Sequence, residues 1–290
     1  MDTVRLARGA GFGQRWLLRA RLIHPFPTAL NVAATIVLAF IAGEGEPPLG
    51  IVLRMALVML LIQSAIGATN DYCDRWLDAL SKPGKPLAAG VLSPGTALLI
   101  AGIAITLAAL IATTLGPLSW LLAMLGLGLG LLYNFWLKRT LLSALPYLIA
   151  IPLLPVWVWT TVGSHTAGIF WLLPLGALTG LGLHLANALV DFESDGMGGA
   201  YGLAHRLGRR RTLLLAWGSP AAALVLAGAL TPVVVARPDR ALAGIVAGLL
   251  LLLLGLGLYG VKPGQQALRL NFGLLALATA VSGAGWLAAL

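Results

Sequence analysis

The 290-residue chain carries 19 basic and 10 acidic residues, is 59% hydrophobic and has a mean hydropathy of +0.92. Charged residues make up 10% of it, against about 25% in a soluble domain, which excludes a water-soluble globule. The net charge of +9 does not indicate nucleic acid, because the Lys and Arg residues fall in short segments between apolar runs, where they serve as topology signals and contacts with anionic lipid. Cys73 is the single cysteine, so no intrachain disulfide forms.

Residues 1–26 read as a basic interfacial segment, not a signal peptide: Arg15, Arg19 and Arg21 precede the first apolar run and suit a helix lying on the membrane surface. Arg21 and His24 stand just ahead of the first span; His24 is expected to meet lipid headgroups. Nine apolar runs of spanning length follow, at 27–43, 50–68, 96–115, 118–136, 143–162, 168–189, 212–235, 239–260 and 268–290. No composition break divides them, so residues 1–290 read as a single intramembrane domain, all-α and polytopic. All basic residues except Arg54, Arg237 and Arg240 fall on the side shared by the N-terminus and the loops after spans 2, 4, 6 and 8. That side is expected to be cytoplasmic, in the cell (inner) membrane.

The acidic residues are unevenly placed. Asn70, Asp71, Asp74 and Asp78 close span 2, and Asn187, Asp191, Glu193 and Asp195 close span 6. If the helix continues, Asn70, Asp74 and Asp78 repeat at i, i+4 and i+8 and share one face, as do Asn187, Asp191 and Asp195. Like charges so close repel, and hard oxygens in that pattern suit Mg²⁺, which completes its octahedron with water and substrate phosphate. Glu193 lies off both stripes and reads as a solvated acid. Both clusters fall on the cytoplasmic side and are expected to face one cavity.

Cations accompany the acids. Ser81–Gly90 is a Pro/Gly-shaped loop carrying Lys82 and Lys85, and Tyr133, Lys138 and Arg139 close span 4. With metal on a diphosphate, such groups would stabilise a pyrophosphate leaving group. Arg209, Arg210 and Arg211 read as topology signals. The intramembrane polar residues Asn31, Gln63 and His184 are expected to face the bundle interior; the last two lie seven residues before Asn70 and Asp191.

Asn70-Asp71-x-x-Asp74-x-x-x-Asp78 followed by Lys82-Pro-x-Lys85-Pro-Leu-x-x-Gly90 resembles the first signature of the UbiA superfamily of intramembrane prenyltransferases. Asn187-x-x-x-Asp191-x-x-x-Asp195-x-x-x-Gly199 leading to Arg206-Leu207-Gly208 resembles the second, and Tyr133 with Lys138 resembles a pair after the fourth helix. The resemblance implies a nine-helix bundle around a central cavity, two Mg²⁺ ions (Mn²⁺ as the substitute) and a prenyl diphosphate donor. It also implies an allylic carbocation attacked by a small or lipidic acceptor, aromatic or another lipid precursor. By carry-over Asn70, Asp74, Asp191 and Asp195 hold metal, with Asp71 and Asp78 as catalytic support. Tyr133 and Lys138 meet the diphosphate, joined by Arg75, Lys82, Lys85 and Arg206. The chain departs from the family at Gly196 and Ala200–Gly202, where basic residues are usual, and at Lys85, where Arg is usual. Terpene cyclisation on the same scaffold is the alternative chemistry, and a cation or lipid transporter the alternative class. The charge sits at span ends and not at the midplane, which weighs against transport.

Overall fold

The computed structural model describes residues 21–164, 167–197 and 201–290; the side chains of Ala167, Ser194, Asp195 and Met197 are outside that description, as is most of the N-terminal segment. The described chain is helical, with no strand. The long helices are α1 (Pro25–Ala42), α2 (Leu49–Ser81), α3 (Pro94–Thr113), α4 (Pro117–Phe135), α5 (Leu145–Val162) and α6 (Leu172–Val190). Two short helices, α7 (Phe192–Met197) and α8 (Leu203–Leu207), precede α9 (Arg209–Val234), α10 (Pro238–Val261) and α11 (Gln265–Leu287). Among the described residues, nine helical segments of 18 to 33 residues are long and apolar enough to cross a membrane. They correspond one for one to the nine expected runs. The chain is a multi-pass integral membrane protein.

The largest difference from expectation is α2. The apolar run suggests an end near residue 68, yet the helix continues to Ser81. Its 33 residues span about 50 Å at 1.5 Å per residue, well beyond a hydrocarbon core of about 30 Å. The first acidic motif therefore rides on a rigid helix that outruns the apolar layer.

The chain divides into two compact units. The first comprises the described residues up to Val37 together with Pro47–Trp136. Here α3 packs along α2 through a stripe of buried small residues, Ala97, Ala101, Ala104, Ala108 and Ala112. Small side chains bring helix axes close, and dispersion then replaces the hydrophobic drive that lipid removes. Ser93 caps α3, its Oγ accepting from the Thr96 N–H at 3.1 Å with Pro94 at the first helical position.

The second unit comprises Leu38–Glu46 and Leu137–Leu290. In it α6 packs on α5, α9 and α11, and α10 runs along α11. The α10–α11 contact is a backbone approach: a Cβ on Gly244 would lie 3.0 Å from Gly285 Cα. The core around α6 gathers Leu183, Leu185, Ala186, Leu189, Ala216, Leu268 and Leu275. Outward faces stay apolar, as at Leu249, Leu250, Leu253 and Leu254 of α10. Lipid, not protein, covers such faces.

Candidate active site

In the first unit the site is built on the last three turns of α2. Because α2 is continuous, Asn70, Asp74 and Asp78 do share a face, and Asp71, Asp74 and Asp78 are all buried. Asp78 closes the helix as well, its carbonyl accepting the Lys82 N–H at 2.7 Å. The following loop folds on itself as the Pro and Gly residues predict. Lys85 N–H bonds Lys82 O at 3.0 Å, Ala89 N–H bonds Lys85 O at 2.8 Å, and Gly90 adopts φ 68°. That turn delivers Lys85 Nζ to 2.8 Å from both Asp71 Oδ1 and Asp78 Oδ2. Burial opposes the Lys85 charge, but the two carboxylates outweigh it and raise its pKa above the usual lysine value.

His24 is a correction. It lies against Asp71 and not free among headgroups: its Nε2 is 2.9 Å from Asp71 Oδ1. The approach depends on Gly67, one turn before Asp71. A Cβ there would sit 2.9 Å from Leu22 O and 3.3 Å from the His24 ring. His24 also takes φ 49°, a left-handed conformation that costs a non-glycine residue about 1 kcal/mol. Arg21, His24, Pro25–Pro27, Asp71 and Lys82–Pro86 together line an open cavity of about 500 Å³.

Asn70 has a partner that sequence reasoning gave no role. Its Nδ2 lies 3.3 Å from the Oδ1 of Asn134, a buried residue near the end of α4. Asn134 Nδ2 donates in turn to Ile66 O at 2.8 Å and Thr69 Oγ1 at 2.9 Å. A polar residue closing an apolar span was the available signal. Arg75 is not brought to the acids. It folds back on α2, donating to Tyr72 O at 2.6 Å with its guanidinium 4.5 Å from the Tyr72 ring centroid. Asn31 and Gln63 also bond within their own helices, to Pro27 O and Met59 Sδ. Tyr133 occupies the last turn of α4.

The second unit holds Lys138, on the 3₁₀ turn Leu137–Arg139, and the second motif. The period-four repeat is interrupted there. Helix α6 ends at Val190, Asp191 takes φ −103° and ψ 11°, and Asp195 falls on the separate short helix α7. Asn187, Asp191 and Asp195 thus do not form one continuous helical face; Asp195's side chain, Gly199 and Ala200 lie outside the described residues. Gly202 and Leu203 dock on the turn after Lys138: Ser143 Oγ accepts the Leu203 N–H at 3.0 Å and meets His184 Nε2 at 3.0 Å. His205 is engaged by Phe192, whose carbonyl lies 2.8 Å from its Nε2 and whose ring stacks on it at 4.3 Å. Arg206 is exposed on α8. Glu193 pairs with Arg209 at 3.1 Å, both exposed, an ion pair of little energetic weight.

The donor set fits a hard divalent cation in part. Half-buried Asn70 and buried Asp74 offer neutral and anionic oxygens one turn apart on one helical face, hard donors of the kind Mg²⁺ takes. Among the described residues no group of three His, Cys, Asp or Glu side chains is close enough to hold a metal. An ion in the first unit would therefore take its remaining ligands from water and substrate.

Comparison with known proteins shows the family. The UbiA prenyltransferase family matches residues 31–278. A digeranylgeranylglyceryl phosphate synthase from Methanoregula boonei is 30% identical over 196 residues, 65% of this chain and 68% of that protein. A 4-hydroxybenzoate octaprenyltransferase from Vibrio atlanticus is 28% identical over 187 residues, covering 62% of this chain and 64% of the relative, a little under two thirds of its length. In fold, the chain resembles a UbiA homologue from Archaeoglobus fulgidus solved with GPP and Mg²⁺, at TM-score 0.72 and 18% identity over 92% of this chain and 99% of that one. A UbiA homologue from Aeropyrum pernix K1 gives TM-score 0.70 at 19% identity over 89% and 96%. With the family matched across most of its length, the chain belongs to the UbiA prenyltransferase family.

Proposed function

We propose that this chain transfers a prenyl group from a prenyl diphosphate to an aromatic or other lipid-precursor acceptor, with Mg²⁺ as cofactor. The observation that carries the reading is the shared face of half-buried Asn70 with buried Asp74 and Asp78, beside a doubly paired Lys85. Clustered carboxylates repel one another in an apolar protein even beside one lysine, and a divalent metal carrying a diphosphate offsets that repulsion. The activities of the relatives and the Archaeoglobus fulgidus homologue solved with GPP and Mg²⁺ support it.

Asn70 and Asp74 in one unit, and Asp191 and Asp195 in the other, are the proposed ligands of two ions. When bound, Mg²⁺ would neutralise the diphosphate and help it depart. Lys85 and Lys82 come from the α2–α3 loop to the diphosphate oxygens, with Tyr133, Lys138 and Arg206 as the remaining contacts. Asp71 and Asp78 act through Lys85: they hold its Nζ charged and aimed, so less entropy is lost when phosphate arrives. Arg75, turned back over Tyr72, is left out of that set. The apolar helices around the site exclude water from a developing allylic cation. The proposed domain is residues 1–290, with its loops and N-terminus on the cytoplasmic side of the inner membrane of the cell.

The test is product analysis. Protein in lipid nanodiscs is incubated with Mg²⁺ and prenyl diphosphates of several lengths, with and without 4-hydroxybenzoate or a geranylgeranylglyceryl phosphate acceptor. Mass spectrometry should detect an acceptor-plus-prenyl product. A cyclic hydrocarbon formed equally well without acceptor would replace transfer by cyclisation.

A further inference from the structure

The amide network around Asn70 has a directional logic. Asn134 spends both of its Nδ2 hydrogens, on Ile66 O at 2.8 Å and Thr69 Oγ1 at 2.9 Å. Thr69 is able to accept because its own hydroxyl hydrogen goes to backbone, with Ala65 O at 2.8 Å. The Asn134 amide therefore has one orientation, and it presents only an acceptor, Oδ1, toward Asn70. Asn70 must answer with its NH₂ group, at 3.3 Å. A carboxamide turned that way leaves its carbonyl oxygen for another ligand; turned the other way it would offer N–H hydrogens, which a cation repels.

We propose that Asn134 is a positioning residue that holds the Asn70 amide with its oxygen available as a metal ligand, a proposal that rests on the reading of Asn70 as a ligand. Asn70 is the neutral member of its stripe and the only one for which an amide flip abolishes ligation; a carboxylate has two equivalent oxygens. Burial of Asn134 at 7% exposure keeps water from supplying a competing acceptor or donor. The effect is the outer-shell orientation of a ligand, which commonly governs about ten- to hundredfold in metal affinity.

The test is a double-mutant cycle read by metal binding and not by turnover. Mn²⁺ is titrated by electron paramagnetic resonance into protein saturated with an unreactive geranyl thiolodiphosphate, and each variant's folding is checked by thermal melt. Asn134→Leu should weaken Mn²⁺ binding about tenfold, and so should Asn134→Ser, a milder change that keeps a hydroxyl donor for Ile66 O. In an Asn70→Asp background the same substitutions should cost less than about twofold, because a carboxylate needs no orientation. Equal losses in both backgrounds, or a loss below about twofold with Asn70 intact, would overturn the positioning role. Asn70→Leu separates the two layers. If it leaves Mn²⁺ affinity unchanged, Asn70 is no ligand and the proposal falls with that reading; if it weakens binding while Asn134→Leu does not, only the positioning role falls.

Discussion

Lys85 Nζ stands 2.8 Å from Asp78 Oδ2 and equally close to Asp71 Oδ1, so one ammonium ties the α2–α3 loop to two carboxylates a pair of turns apart on α2. Removing it leaves two buried acids without their common cation. Lys85→Gln should destabilise the protein by about 2–3 kcal/mol, less than a fully buried pair because the lysine side chain is 25% exposed. The pH dependence has a definite sign. The folded-state pKa of Lys85 is raised, so the bridge contributes fully below the unfolded lysine value of about 10.4 and fades as pH rises through the folded value. Melting curves of wild type and Lys85→Gln should differ by a constant amount from pH 7 to about 10 and converge above that. Convergence at lower pH would mean that another group carries the difference.

Gly67 and His24 give a second prediction. Gly67→Ala places a methyl 2.9 Å from Leu22 O, a backbone atom that must move. The Leu22–His24 segment should lift off α2 and break the His24–Asp71 contact, costing about 1–3 kcal/mol. Because Lys85 still holds Asp71, activity should fall by about tenfold or less, with the loss in KM for the donor and not in kcat. Steady-state kinetics on Gly67→Ala and His24→Ala should agree; an unchanged Gly67→Ala would show that the segment has room to spare.

Ser143 links three segments of the second unit through one hydroxyl. Ser143→Ala leaves the Leu203 N–H and one His184 nitrogen without this partner, a cost of about 1–3 kcal/mol. Hydrogen exchange should report it locally, as faster exchange at Leu203 and Ala204, while amides of α10 and α11 keep their protection. Uniform acceleration across the unit would instead indicate a global role.

Much of the fold was legible because lipid imposes a simple grammar. Nine apolar runs correspond to nine membrane-length helices among the described residues, and the period-four spacing of Asn70, Asp74 and Asp78 described a real face once α2 proved continuous. The same spacing failed after Asp191, where the helix end has no mark in hydropathy. The long-range partners were illegible for a different reason. His24 meets Asp71 across 47 residues, Ser143 meets His184 across 41 and Asn70 meets Asn134 across 64. Such pairs are chosen by helix packing, which apolar periodicity fixes only loosely. Asn134 and His24 carried the cue of polarity at a span end, but that cue names a candidate and no partner.

In the proposed reaction the acids act with a divalent metal on a prenyl diphosphate. Its most direct test is pyrophosphate release from a prenyl diphosphate by wild type, Asp74→Ala and Asp191→Ala, with Mg²⁺ or with EDTA. Wild type should release pyrophosphate with Mg²⁺ and none with EDTA, and both variants should lose at least about a hundredfold at unchanged melting temperature. Release that survives EDTA, or a folded Asp74→Ala with wild-type turnover, would contradict it.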